Sequence, residues 1–382
     1  SLSLLPLLKI RGSYGFSGNI DPAMVSVSTI RYFATSPYTQ SQMAMFTNYY
    51  NPKLRWETTG ITNVGVDFET RNQVLSGSVE WYQKKGEHLF GQAPLDYTTG
   101  ITSLLWNVAG MKGQGWDIEL HSRNVNRKFS WNTAFNLSFY KDEITEYYLS
   151  NTIGRQFVIS SVPVSGVIGK PVYSIFAYQW AGLDPQTGDP RGFLNGEVSS
   201  DYAALTGSET KLEDLKYFGS AVPTAFGNFT NTFGYRNWNL DVGISYKLGY
   251  WFRRSSINYT RLFTEWATNS DYTQRWQRPG DERFTDVPSL RYETNSSRDD
   301  FYAGSAALVE KGAHIRLQYI TLNYTFTQPY QKLFNKMQLY ANIANVGILW
   351  KATDSDRDPD YNMGNFTLLP PLTLTLGLRA NF

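Results

Sequence analysis

Apolar and polar residues alternate one by one through a series of short stretches, the period-two signature of a strand with two unlike faces. In the last stretch Leu374, Leu376, Leu378, Ala380 and Phe382 share one face, and Thr373, Thr375, Gly377, Arg379 and Asn381 the other. Between 238 and 250 the even positions Trp238, Leu240, Val242, Ile244, Tyr246, Leu248 and Tyr250 are apolar or aromatic, while Asn239, Asp241, Gly243, Ser245 and Lys247 fill the odd ones. Such a stretch, tilted by about 45°, rises about 28 Å, close to the ~25 Å apolar band of a membrane barrel. Strand 129–140 repeats the pattern, with Trp131, Phe135, Leu137 and Phe139 opposite Asn132, Asn136 and Ser138. In 314–326 the apolar phase changes between Leu317 and Ile320, which predicts a bulge near Tyr319. The remaining strands are predicted near 7–16, 60–69, 73–84, 114–122, 224–235, 337–348 and 372–382.

The connections alternate in length. Those at 70–73, 123–128 and 235–237 are short, as hairpin turns are. Those at 17–59, 85–113, 141–223, 251–313 and 349–371 are long. Such asymmetry is a defect in a compact soluble domain. In an outer-membrane barrel it is the rule, with short turns periplasmic and long loops external. The expected fold is therefore all-β, a transmembrane antiparallel β-barrel whose last strand ends at the periplasmic rim on Phe382. Trp238 is expected in the inner aromatic girdle, and Tyr246, Tyr250 and Trp251 in the outer one. A soluble sandwich or propeller shares the alternation, but not the polar inner faces, aromatic strand ends and loop asymmetry together.

Composition supports this class. Tyrosine, phenylalanine and tryptophan make up 16% of the 382 residues. Mean hydropathy is negative, and no stretch approaches the ~18 uninterrupted apolar residues of a membrane helix. Only a closed barrel then spans a bilayer. A net charge of +2 argues against a nucleic-acid partner, and the absence of cysteine excludes a disulfide framework or thiolate site. The sequence opens almost directly in a strand pattern, at Leu8, Ile10, Gly12, Tyr14 and Phe16, and reads as a piece of a longer precursor.

Candidate chemistry is sparse. His88, His121 and His314 are scattered without metal spacing, so no metal centre and no cofactor is expected. Asp354, Asp356, Asp358 and Asp360 alternate, yet Pro359 and Asn365 occupy the places where a calcium loop needs glycine and glutamate. They read as an acidic external loop. No nucleophile-elbow, phosphate-loop or dinucleotide motif stands in a supporting context, and an enzyme is the least favoured class. The loop 251–313 interleaves Trp266, Tyr272 and Trp276 with Arg275, Arg278 and Arg283. Rings bury area with few torsions and guanidinium groups donate directionally, so these six are candidate contacts for a ligand or partner. The competing reading is that they pack the loop against itself.

The loops also carry a resemblance. Leu8 to Gly15 followed by Gly18-Asn19, then Asn51-Pro52-Lys53-Leu54-Arg55-Trp56-Glu57-Thr58 with Asn63, Gly65, Asp67 and Phe68, are similar to segments of the SusC-like (RagA-like) TonB-dependent transporters of Bacteroidota. Pro94-Leu95, Thr99-Gly100, Asn107, Gly110-Met111 and Gly115 continue the match. Tyr178 to Pro185, Thr187 to Pro190, Gly219 to Pro223, and Arg316 to Gln318 with Ile320 to Leu322 and Tyr324 complete it. Each is weak alone; their order and spacing are specific. Gly113 and Asp358-Pro359-Asp360 depart from the family's usual asparagine and Asp-Pro-Glu.

The resemblance implies a plugged barrel of about 22 strands. This chain, 1–382, would then be its C-terminal portion of about ten strands. A signal peptide, a TonB-contacting segment, the plug and the N-terminal strands would precede Ser1. It further implies active import of an oligosaccharide or peptide, a SusD-like surface lipoprotein as lid, TonB as energy source, and a dimer of transporter and lid pairs in the outer membrane. Leu374, Leu376, Leu378 and Phe382 would form the assembly signal read by the insertion machinery. A passive porin and a structural or adhesive outer-membrane protein are the rival classes.

Overall fold

The computed structural model describes residues 5–20, 27–94, 98, 103–149, 153–158, 164–326, 336–361 and 368–381. Its main element is one ten-stranded antiparallel sheet. The strands are β1 (Leu7–Asn19), β2 (Glu57–Glu69), β3 (Leu75–Pro94), β4 (Ser103–Asn126), β5 (Phe129–Tyr147), β6 (Ala225–Tyr235), β7 (Trp238–Leu248), β8 (His314–Phe326), β9 (Lys336–Lys351) and β10 (Thr373–Asn381). Each pairs with the next in sequence, so the wall is an unbroken meander. No helix among the described residues is long and apolar enough to cross a membrane.

Pairing places the alternating residues in continuous rows. One row runs Ile10, Val66, Val79, Ile118, Leu137, Gly227, Tyr246, Ile315 and Trp350, nine strands with a single gap in its apolar face. The gap is filled by a neighbour: a Cβ at Gly227 would overlap the Tyr246 hydroxyl, which donates to the Asn136 carbonyl across that position. Ile10, Trp116, Trp131, Trp238, Leu322 and Leu376 stay exposed on this face, as a lipid-facing surface requires. The opposite face is polar. Arg11 pairs with Asp67 and Glu80, Ser138 donates to Asp117, Thr232 to Asp241, and Asn342 to Thr321. Among the described residues, almost no buried apolar side chain lies in the wall; only Val108 and Ile144 do, both near the long-loop end. The wall is therefore a barrel wall rather than one layer of a sandwich, whose inner faces would be apolar.

The predicted bulge is present. Register between β7 and β8 shifts between Gly243 and Ile244, leaving Gln318 unpaired in the ladder, and its amide donates to Ser245 Oγ at 2.6 Å. The predicted loop at 85–113 is mostly strand. β3 and β4 stay paired from Leu75–Ser122 up to Pro94–Ser103. The alternation stops sooner because residues above the apolar band, such as Gln83, Lys85, Lys112 and Gln114, have no hydrocarbon to face, while backbone pairing continues. β5 extends to Tyr147 for the same reason.

The outer girdle is corrected at two positions. Gly249, with φ +74°, breaks the alternation after Leu248, so Tyr250 is buried against His314 and Gly312 instead of facing lipid. Trp251 starts a short ribbon, Trp251–Arg253 paired with Val309–Lys311, and packs on Phe218 at 5.3 Å. Tyr246 keeps the expected face, stacked on Phe135, and Trp238 lies on Tyr324 at the short-turn end. Leu374, Leu376 and Leu378 are exposed on the lipid-facing side of β10, and Phe382 falls outside the described residues.

Candidate functional site

The hydrophobic core of this protein is in its long loops. Residues 148–224, between β5 and β6, and 249–313, between β7 and β8, interlock. Phe157, Val158, Phe176, Tyr178, Tyr202, Leu205 and Leu215 of the first surround Phe301 of the second. The Phe301 ring lies 5.6 Å from Tyr178 and 5.9 Å from Tyr202. A side chain at Gly192 would overlap that ring, so glycine is needed where the first loop crosses it. Phe301 sits on the helix Ser296–Ala303, started by Asn295, whose side chain accepts from the Arg298 amide. A second cluster joins Ile257, Tyr259, Val287, Tyr302 and Leu308, within the second loop. Each such ring or branched side chain, fully buried, contributes about 1.5–3 kcal/mol. This is enough to order segments that sequence alone leaves as loops.

Ion pairs lock the same interface. Arg298 is buried; its Nε donates to Asp189 Oδ1 at 3.0 Å and its Nη2 to the Ser289 carbonyl at 2.9 Å. Arg291 also pairs with Asp189. Arg254 bridges Asp271 and Glu310, and Glu310 accepts from Thr353 and Ser355 of the third loop, between β9 and β10. Arg253 is different. It donates to the carbonyls of Val158 and Phe176 and has no carboxylate partner among the described residues, and burial pushes it down to about 10. Burial also pushes the Tyr178 hydroxyl up to about 12.

The third loop is tied to the polar face of the wall. Arg316 binds Asp358 with 2.6 Å contacts to both oxygens. Asp360 receives Lys247 Nζ at 2.7 Å and lies 3.1 Å from His314 Nε2. Burial works against its charge, but the hydrogen bonds from His314 and Lys247 hold the Asp360 carboxyl well below the usual carboxylate range. Two of the four alternating aspartates thus hold the loop to β7 and β8, a role the sequence reading did not assign. The signal was present in Lys247, His314 and Arg316, three basic residues on the polar face of one strand pair. No group of acidic and histidine residues at metal-binding geometry occurs among the described residues.

The six candidate contacts separate into two sets. Trp276 is buried; its Nε1 donates to Glu282 at 3.2 Å and its ring covers Gly188 of the first loop, so it packs loop on loop and offers no binding face. Tyr272 packs against the second cluster, with the Arg275 guanidinium 4.1 Å over its ring, and Arg275 donates to the Tyr272 carbonyl. Trp276 is internal and Tyr272 and Arg275 are half-buried, because the chain here turns back onto Val287, whose carbonyl accepts from the Trp276 amide. Trp266, Arg278 and Arg283 are exposed. Trp266 is 87% exposed and ends the helix Tyr259–Glu265 in a left-handed conformation. Phe284, Tyr292 and Phe263 are also exposed, and the Phe263 and Tyr292 rings meet at 5.9 Å. Phe263 and Tyr292 were missed because nothing in the pattern distinguishes an exposed ring from a packed one.

The Asn51–Glu57 segment, which carries part of the resemblance, also has a physical role. Asn107 on β4 accepts from the Arg55 amide and donates to the Arg55 carbonyl, while Glu57 accepts from the Phe90 amide on β3. The segment straps the tall β3–β4 hairpin to β2.

No protein-family model matches the chain. TonB-dependent receptor P3 of Formosa agariphila is 24% identical over 94% of the chain and 36% of its own length. A second receptor of that organism, P26, is 25% identical over 98% of the chain and 40% of its own. TonB-dependent receptor SusC of Bacteroides thetaiotaomicron is 23% identical over 87% and 33%. Among solved structures, the RagAB peptide importer in its open-open state matches all of the chain and 40% of its own at a TM-score of 0.73 with 22% identity. The chain thus spans between a third and two fifths of the length of these relatives. With the ten-stranded wall, its two unlike faces and its interlocked loops, the chain is similar in sequence to TonB-dependent receptors, SusC among them, and has the fold of an outer-membrane β-barrel transporter.

Proposed function

We propose that this wall and loop layer form the C-terminal portion of an importer that carries an oligosaccharide or peptide nutrient across the outer membrane. The short turns and the end of β10 would face the periplasm. A plug and a TonB-contacting segment would precede residue 1, and a SusD-like lipoprotein would close over the loops, in a dimer of such pairs. The observation that carries the reading is the loop layer itself: two loops with a shared hydrophobic core and buried ion pairs form a built surface, not a fringe of connections. A general pore needs no such surface. Trp266, Phe284 and the Phe263–Tyr292 pair, with Arg278 and Arg283, are the groups free to meet a ligand or lid. Import then consists of capture at the loops, passage along the polar face and plug displacement driven through TonB, with no covalent chemistry.

The test is uptake. A strain carrying the full-length gene should accumulate labelled oligosaccharide or peptide pools, and lose that accumulation on deletion of the gene or collapse of the proton-motive force. A lipoprotein should co-purify with the intact protein. Uptake that persists without proton-motive force would assign a passive pore instead. Unchanged growth of the deletion strain on every such nutrient would assign a structural role.

A further inference from the structure

On the lipid-facing side of β3 to β5, Trp81, Trp116 and Phe139 form a paired aromatic row. Directly above it, toward the long loops, the row gives way to lysines. Lys141 stands two residues beyond Phe139 opposite Gln114, and Lys85 and Lys112 stand four residues beyond Trp81 and Trp116, opposite each other. With about 3.3 Å per residue and a tilt of about 45°, these lysines lie about 5–10 Å above the rings. That is headgroup depth if the rings mark the edge of the hydrocarbon.

Like charges directly opposite one another weaken a strand pair. The Lys85–Lys112 pairing is thus unfavourable by itself, and neither Lys112 nor Lys141 has an ion-pair partner within 4.0 Å among the described residues. Lys85 reaches Glu87 at 2.6 Å, two residues further from the membrane, and Glu143 lies opposite Lys112 without an ion pair. A groove of about 290 Å³ opens at this height, lined by Trp81, Trp116 and Phe139 below, by Gln114 and Lys141 above, and by Gly115, Tyr140 and Thr224; Lys85 and Lys112 stand just beyond it, one row further from the rings. Apolar rings under an amide and ammonium groups match a molecule with an acyl chain below and an anion above.

We propose that Lys85, Lys112 and Lys141, with Gln114, bind the phosphate of a membrane-lipid headgroup whose chains pack on Trp81, Trp116 and Phe139. The site depends on the barrel's outer face and not on what the barrel transports. Each lysine near a membrane surface strengthens such binding about fivefold at low salt, so removing all three weakens it about a hundredfold.

The experiment uses the full-length protein extracted from outer membranes, washed through a neutral detergent, and analysed by native mass spectrometry for retained lipid. It is then titrated separately with lipid A, phosphatidylglycerol, a dephosphorylated lipid A and inorganic phosphate. Wild type should bind one or both phosphorylated lipids, the tighter naming the source, and neither control. K85Q/K112Q/K141Q should lose that binding while keeping heat-modifiable migration, and K85R/K112R/K141R should restore it. Equal lipid retention by wild type and the glutamine variant would overturn the assignment. So would binding of inorganic phosphate with the affinity of the lipids, since the rings would then contribute nothing.

Discussion

Replacing Asp189 with asparagine should loosen the loop layer without unfolding the wall. The Arg298 guanidinium that Asp189 neutralises is nearly sealed, with its side chain 5% exposed against 15% for the carboxylate. Breaking a buried pair by removing one partner leaves an uncompensated charge and costs about 3–5 kcal/mol. Arg291, half exposed, adds little because solvent screens it. The cost falls on local opening of the interface between the two loops, which sets protection of the amides bridging it. Ser289 N–H donates to the Gly188 carbonyl at 2.9 Å, next to the pair. Converted at tenfold per ~1.4 kcal/mol, exchange at Ser289 should rise by about two to three and a half decades, while amides in β7 and β8 stay unchanged.

Hydrogen exchange with mass spectrometry on the full-length protein reads both regions at once. Asp189→Asn with Arg298→Met removes the stranded charge along with its partner, so it should recover most of the lost protection. Arg278→Ala, which removes an exposed 3.8 Å pair with Asp281, is the control and should change nothing. If Asp189→Asn leaves Ser289 exchange at the wild-type level, the ion pair does not hold the loops together. If the double variant is as open as the single, the loss is one of shape and not of charge.

Other perturbations test other parts. The third loop should be released by acid. A carboxyl whose folded value is depressed contributes stability above the unfolded value near 4 and loses it as pH falls below, so proteolysis between Ala352 and Tyr361 should rise from about pH 4 downward, and Asp360→Asn should already show it at neutral pH. On the lipid face, Leu376→Arg should cost up to about 2–4 kcal/mol, read as loss of heat-resistant folded protein; wild-type behaviour would show that this face does not meet hydrocarbon. Gly377→Val should impair pairing of β10 with β9, since a Cβ there would overlap the Tyr340 ring, and Tyr340→Ala should rescue it. If the proposed function holds, Trp266→Ala should leave the fold intact and weaken capture of ligand or lid by the full-length protein; unchanged uptake and co-purification would remove Trp266 from the contact surface.

The contrast between wall and loops explains what was legible in the sequence. A strand in a barrel wall is specified by its own residues: Trp238 to Leu248 announces both faces within one segment, and its neighbours lie one hairpin away. The bulge at Gln318 was legible because a single extra residue inverts every side chain after it. The faces ceased to be legible where the hydrocarbon band ends, at Lys85, Lys112 and Lys141, where alternation no longer separates an apolar from a polar solvent although the backbone ladder goes on. The loop layer follows another rule. Asp189 meets Arg298 across 109 residues, and Arg253 reaches Val158 across 95. No local period encodes either contact. Trp266 and Trp276 illustrate the consequence: they are ten positions apart on one loop, both beside polar residues, yet one is almost wholly exposed and the other covers Gly188. Which ring is free to bind is decided by the other loop. The candidate contacts therefore had to be sorted by the fold. Of the six residues, Trp266, Arg278 and Arg283 remain available to a partner, while Tyr272, Arg275 and Trp276 shape the surface that presents them.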